Sequence, residues 1–144
     1  MNRFYFAKII ILVLGLFTPN TIQARELPEL IDILSKKAPK GYYPKDADYQ
    51  LFKYICNSKN CFNVISVESV TSSKKAIRRI AVFSGNNDYL GSYSGFNELP
   101  QSANGNVLEF PKSEFGYKIV FVSEQPPETV WIDGEVYGFE KVIH

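Results

Sequence analysis

The sequence predicts a β-rich α+β fold: an N-terminal helix packed on a meandering antiparallel sheet, or on a small curled barrel, of about seven or eight strands. Three observations carry this. A helical apolar repeat stands out in one segment, Arg25–Ala38. From Tyr49 onward, short β-branched and aromatic runs alternate with Gly, Asn, Asp and Pro. Finally, Thr129–Lys141 sets Asp133-Gly134 between two alternating runs. That pair suits a two-residue type I′ turn, which needs positive φ at both positions.

Residues 1–24 read as a secretory signal peptide. Asn2-Arg3 and Lys8 supply a positive start, Ile9–Phe17 is unbroken apolar chain, and Ile22-Gln23-Ala24 suits a signal peptidase. The apolar run is about half the ~20 residues that cross a bilayer, so cleavage after Ala24 is expected rather than anchoring. No Cys follows the site, as a lipoprotein anchor would need. Residues 25–144 then form a single β-rich domain in the periplasm or outside the cell.

Without Arg3 and Lys8, the remaining chain has one more acid than base. Nucleic-acid binding needs a cationic surplus, so it is not expected, and nothing favours insertion into a membrane after cleavage. The two cysteines, Cys56 and Cys61, are too far apart for a C-x-x-C redox pair. In an oxidising compartment they are expected to form a disulfide.

Within the helix, Leu27, Leu30, Ile31, Leu34 and Ala38 form the apolar stripe, Pro28 suits a first turn, and Pro39 with Gly41 ends the run. Gly41–Asp48 is a loop. Tyr49–Cys56 alternates weakly and reads as a strand, with a helix capped by Asp46 as the alternative. Cys61–Ser69, Ala76–Ser84, Tyr89–Ser94, Val107–Phe110 and Tyr117–Ser123 are further strands. Asn57–Asn60 is a hairpin loop whose mouth the disulfide would staple. In the terminal hairpin, Val130, Ile132, Tyr137 and Phe139 are expected on a core face, with Trp131 and Val136 opposite.

Chemistry is hard to place. The single histidine, His144, ends the chain, so no His-based catalytic set or metal site is expected, and neither is a cofactor. Gly85–Gly95 lacks the spacings of a phosphate-binding loop. Lys74-Lys75 and Arg78-Arg79 do not make one stripe, because strand neighbours point to opposite faces. A convergent carboxylate pair drawn from Glu68, Asp88, Glu98, Glu109, Glu114, Glu124 and Glu128 would make a hydrolase. The favoured surface is instead a protein-binding one: Asn86, Asn87, Asp88, Tyr89, Tyr93 and Phe96, with Trp131. Tyrosine and tryptophan give large rigid contact area, and Tyr89 and Tyr93, four apart, are expected on one strand face.

FKYICNSKNCFNV (52–64) and SGNNDYLGSYSG (84–95) resemble the tyrosine–cysteine strand and Ser-Gly-tyrosine loop of bacterial C-type lysozyme inhibitors, which are small periplasmic β-barrels. The resemblance stops at those runs: no cysteine stands far downstream, and the acidic-tryptophan-lysine segments are missing. No functional residue is carried over from it. The expected function is a non-enzymatic envelope protein binding a protein partner, of the inhibitor or immunity type. The alternatives are a carrier of a small apolar ligand, its cavity lined by Phe52, Phe83, Phe121 and Tyr137, and the carboxylate-pair hydrolase.

Overall fold

The computed structural model describes residues 19–111 and 117–143. The expected signal peptide therefore lies mostly outside the described residues. Helix α1 spans Pro19–Lys37 and is followed, among the described residues, by ten strands. These are β1 (Asp48–Cys56), β2 (Cys61–Val70), β3 (Ala76–Ser84), β4 (Tyr89–Ser94), β5 (Ser102–Asn104), β6 (Val107–Glu109), β7 (Lys118–Val120), β8 (Thr129–Ile132), β9 (Glu135–Gly138) and β10 (Glu140–Lys141).

The strands form open sheets rather than a closed barrel. A five-stranded sheet has the order β1-β2-β3-β4-β10, β5-β6-β7 make a second, and β8-β9 a third. All pairings are antiparallel. Two strands exceed expectation: β5 lies in the polar stretch between the expected strands Tyr89–Ser94 and Val107–Phe110, and β10 is a two-residue return to the edge of β4. Both are too short to show a period of two.

β2 and the C-terminal half of β3 are buried on both faces. Covering them takes two layers. On one face, Leu30 and Leu34 of α1 and Tyr43 of the following loop pack against Ile65, Val67, Ala81, Phe83 and Tyr89. On the other face, Phe62, Val64, Ile80, Val82 and Tyr93 meet Leu108, Ile119, Val130, Ile132 and Tyr137 from the two small sheets, with Phe121 just after β7. Each such side chain contributes about 1.5–3 kcal/mol when fully buried. A pair within the protein ties the helix down: Lys53 Nζ reaches Glu26 Oε1 at 2.7 Å. Burial alone would lower the Lys53 pKa, but the bonds to Glu26 and Tyr54 outweigh it and raise it.

The helix starts earlier than expected, at Pro19. Pro28 and the acidic residues therefore lie inside it rather than in its first turn. Tyr49–Cys56 is a strand, which settles the helix alternative. Its weak alternation has a physical cause. Phe52 pairs with Val64 and Ile55 with Phe62, so Lys53 and Tyr54 together oppose Asn63. This bulge returns Ile55 to the same buried face as Phe52, with Tyr54 at φ 58°. Asn63 fastens it, accepting from Tyr54 N–H at 3.1 Å and donating to Asn87 Oδ1 at 3.0 Å. Cys56 and Cys61 are disulfide-bonded across the hairpin mouth.

A second bulge reshapes β4. Phe83 pairs with Tyr89 but Val82 with Gly91, leaving Leu90 as the extra residue. Gly91 has φ 150°, and a Cβ there would stand 2.2 Å from the Glu140 carbonyl oxygen. Only a missing side chain lets β10 close on β4. Gly91→Ala is therefore expected to expel β10 and cost roughly 1–3 kcal/mol or more, the scale of overpacking in a core. Urea unfolding measures it; an unchanged midpoint would show that β10 contributes nothing.

Candidate functional site

The β4 bulge decides the fate of the expected tyrosine surface. With Leu90 inserted, Tyr89 and Tyr93 fall on opposite faces of the sheet rather than on one. Both are buried, at 5% and 0% exposure. Tyr89 packs against Phe83, and its hydroxyl shares Ser92 Oγ with the hydroxyl of Tyr43. Tyr93 packs on Phe139 and donates its hydroxyl to the Pro127 carbonyl. Phe96 is buried as well, stacked on Tyr137 with ring centroids 4.4 Å apart. The three aromatics are core, so they do not form the exposed surface expected of them.

Asn86, Asn87 and Asp88 perform turn chemistry. Asn87 takes φ 64°, and the N–H groups of Asn86 and Asp88 both donate to Ser84 Oγ. Asn86 and Asp88 are exposed, while Asn87 is half-buried against Asn63. Among the described residues, no hydrogen bond or ring contact joins this turn to Trp131.

Trp131 sits where its expected face predicts. Asp133 and Gly134 have φ 53° and 74°, and the register pairs Val130 with Tyr137, Trp131 with Val136 and Ile132 with Glu135. Val130, Ile132 and Tyr137 are buried, whereas Trp131 is 68% and Val136 49% exposed. The hairpin is bonded to the rest of the chain at its base and tip. Phe139 N–H donates to the Glu128 carbonyl at 2.8 Å, closing its base. Tyr117 donates to Asp133 Oδ1 at 3.2 Å, steadying its tip. An adjoining tryptophan and valine thus stand on solvent, on a hairpin whose other face packs in the core.

The charge along this segment of the chain is one-sided, though Glu135, paired with Ile132 and accepting from the Tyr137 hydroxyl, lies on the face opposite Trp131. From Glu124 to Glu140 the chain carries Glu124, Glu128, Asp133, Glu135 and Glu140 and no lysine or arginine. All five are exposed, and none belongs to an ion pair among the described residues. Sequence reasoning had weighed Glu124 and Glu128 only as members of a catalytic pair. The acid-only run was readable by counting charge along the segment.

The remaining features are largely accounted for within the fold. Arg78 pairs with Glu68 at 2.8 Å, and Arg79 lies over the Tyr42 ring at 3.9 Å on the other face. The basic patch is thereby reduced to Lys74 and Lys75 at an exposed turn. A polar cleft of about 330 Å³ gathers Asp46, Asp48 and Glu68. Its two aspartates are exposed, and Glu68 is held by Arg78, so no carboxyl there is desolvated as a general acid requires. Of the four residues expected to line a carrier cavity, Phe52, Phe121 and Tyr137 share one packed cluster and Phe83 belongs to the other. A cleft of about 440 Å³ beside β10 is lined by Tyr42, Tyr89, Glu140 and Lys141 among others. There Tyr42 donates to Glu140 at 3.1 Å, and that bond to a carboxylate raises its pKa.

Among the described residues, no group of three or more potential ligands could hold a metal ion, and no helix is long and apolar enough to cross a membrane. No protein-family model, no curated protein and no solved structure matches the chain.

Burial raises the pKa of Tyr43, Tyr89 and Tyr93 above the ordinary phenol value near 10. Above that pH the unfolded chain loses protons that the folded chain retains. Stability is thus intact below pH ~10 and falls as pH rises beyond it. In an alkaline titration followed by tyrosinate absorbance, these three should ionise together with the loss of circular dichroism. Full ionisation while the fold persists would contradict the buried positions.

Proposed function

We propose that this is an exported, non-enzymatic protein of the cell envelope that binds a protein partner, in the manner of an inhibitor or immunity protein. Its docking surface is the outer face of the β8–β9 hairpin. The observation that carries this reading is the exposed Trp131–Val136 pair on a strand pair whose other face is fixed in the core. Tryptophan is enriched at the energetic centres of interfaces because one rigid ring buries a large area. The turn at Asn86–Asp88 keeps two exposed side chains and is a secondary contact at most.

Export is supported by the disulfide, which persists in oxidising compartments, and by the amino-terminal sequence pattern. Cleavage after Ala24 would leave the helix as Arg25–Lys37, placing Pro28 in its first turn as the sequence favours. The packed positions of Phe52, Phe83, Phe121 and Tyr137 favour a binder over a carrier.

Trp131→Ala tests the reading directly. The side chain is largely outside the core, so the unfolding midpoint should move by less than about 0.5 kcal/mol, as at ordinary surface sites. Capture of the envelope partner should weaken by ~2 kcal/mol or more, about thirtyfold in affinity. Tyr93→Ala gives the converse: a stability loss of roughly 3–5 kcal/mol, with binding lost only through unfolding. Undiminished capture by a folded Trp131→Ala protein would refute the assignment.

A further inference from the structure

The disulfide and the asparagines of its loop form a chain of contacts that ends in the outer layer of the fold. We propose that Cys56–Cys61 is a redox-sensitive latch. Oxidised, it holds its loop in the shape that grips residues 121–124; reduced by a dithiol, it lets that segment go. The latch depends neither on Trp131 nor on any partner.

The loop between β1 and β2 buries no apolar side chain, and Ser58, Lys59 and Asn60 are exposed. Its shape comes from the disulfide at its mouth and from its own hydrogen bonds. Asn57 N–H donates to the Asn60 carbonyl at 2.9 Å, and Asn57 Oδ1 accepts from the N–H groups of Lys59 and Asn60 at 2.8 and 2.9 Å. Asn60 Oδ1 accepts from Cys61 N–H at 3.0 Å. The amide nitrogens of the same side chains reach across to the chain after β7. Asn57 Nδ2 donates to the carbonyls of Phe121 and Ser123 at 3.0 and 2.8 Å, and Asn60 Nδ2 to that of Glu124 at 3.2 Å.

Residues 122–125 are exposed and belong to no strand. Among the described residues, the hydrogen bonds tying them to the rest of the fold come from these asparagines. Buried groups flank the segment: Phe121, whose ring packs on Phe62 with centroids 5.0 Å apart, and Pro126 on the way to β8. A stretch with so few apolar contacts opens at low free energy once its donors move. Cys56 and Cys61 are the end pair of the β1–β2 register and only half-buried, so a dithiol can reach them.

One thiolate of the dithiol attacks a sulfur of the pair, and the other then displaces the mixed disulfide. Cys56 and Cys61 gain two electrons and two protons and become thiols, while the dithiol becomes a disulfide. In oxidising compartments the latch stays closed. The coupling is reciprocal: whatever the grip adds to the oxidised loop, it adds equally to the bond's resistance to reduction.

Hydrogen exchange before and after dithiothreitol treatment is the test. Reduction should speed exchange at residues 57–61, Phe121 and Gln125 by about tenfold or more, with β2 and β3 as protected as before. Asn57→Asp with Asn60→Asp keeps the oxygens that shape the loop and removes the donors that grip. In the oxidised protein this pair should speed exchange at Phe121 and Gln125 alike. It should also lower the ratio of reduced to oxidised dithiothreitol at half reduction by about tenfold, the scale of a few neutral hydrogen bonds. Unchanged exchange at Phe121 and Gln125 on reduction overturns the latch. Protection lost throughout β2 and β3 overturns it too, since the bond would then staple the whole fold. An unmoved half-reduction ratio in the double variant does the same, because the grip would not answer to the disulfide.

Discussion

The structure depends on one constraint: β2 and the C-terminal half of β3 are buried on both sides, so the sheet they form cannot leave either face to water there. Every other element answers this. The helix and the loop carrying Tyr43 cover one face, and the two small sheets cover the other. A sheet alone would expose its second face, and a closed barrel of this length would have to fold that face inward onto itself. Open sheets in layers bury both faces with short connections. The hairpin that bears Trp131 is one panel of that outer covering.

This constraint was legible because it is written in composition. Ala76–Ser84 loses its alternation in its C-terminal half, and Asp133-Gly134 sets a register that pairs Trp131 with Val136. Where reading failed, an extra residue had changed the phase. In β1 the Lys53–Tyr54 bulge blurred the alternation, and in β4 the inserted Leu90 put Tyr89 and Tyr93 on opposite faces. A bulge costs one residue and leaves almost no local mark, since its partner strand supplies half the geometry. Gly91 is the trace it did leave: the position admits no Cβ because the Glu140 backbone passes there.

The site was legible in part for the same reason. Tyrosines between glycines look like a recognition loop and also like a core strand whose hydroxyls find polar partners. The structure takes the second course, spending the hydroxyls of Tyr43 and Tyr89 on Ser92 and that of Tyr93 on Pro127. Asn86, Asn87 and Asp88 likewise serve their own turn. Trp131 differs because its neighbours on the strand, Val130 and Ile132, already satisfy the core. Alternation therefore puts it outside whatever the rest of the chain does.

Other large apolar side chains are exposed too, and they mark the difference between tolerance and purpose. Val70, Val122 and Ile143 have no exposed apolar cross-strand partner, and isolated exposed residues of this kind are ordinary. Tyr54 is exposed as a consequence of its bulge, with the Lys53 ammonium 4.6 Å from its ring. Trp131 has no such local cause. The turn, the register and the inner face of the hairpin would be served equally by a threonine at that position, as Thr129 serves two residues earlier on the same face. What the fold does not require, and what solvent does not favour, is an exposed indole beside an exposed valine. Under the docking role proposed for this face, contact with a partner removes the ring from water, which is the gain a tryptophan at an interface centre supplies.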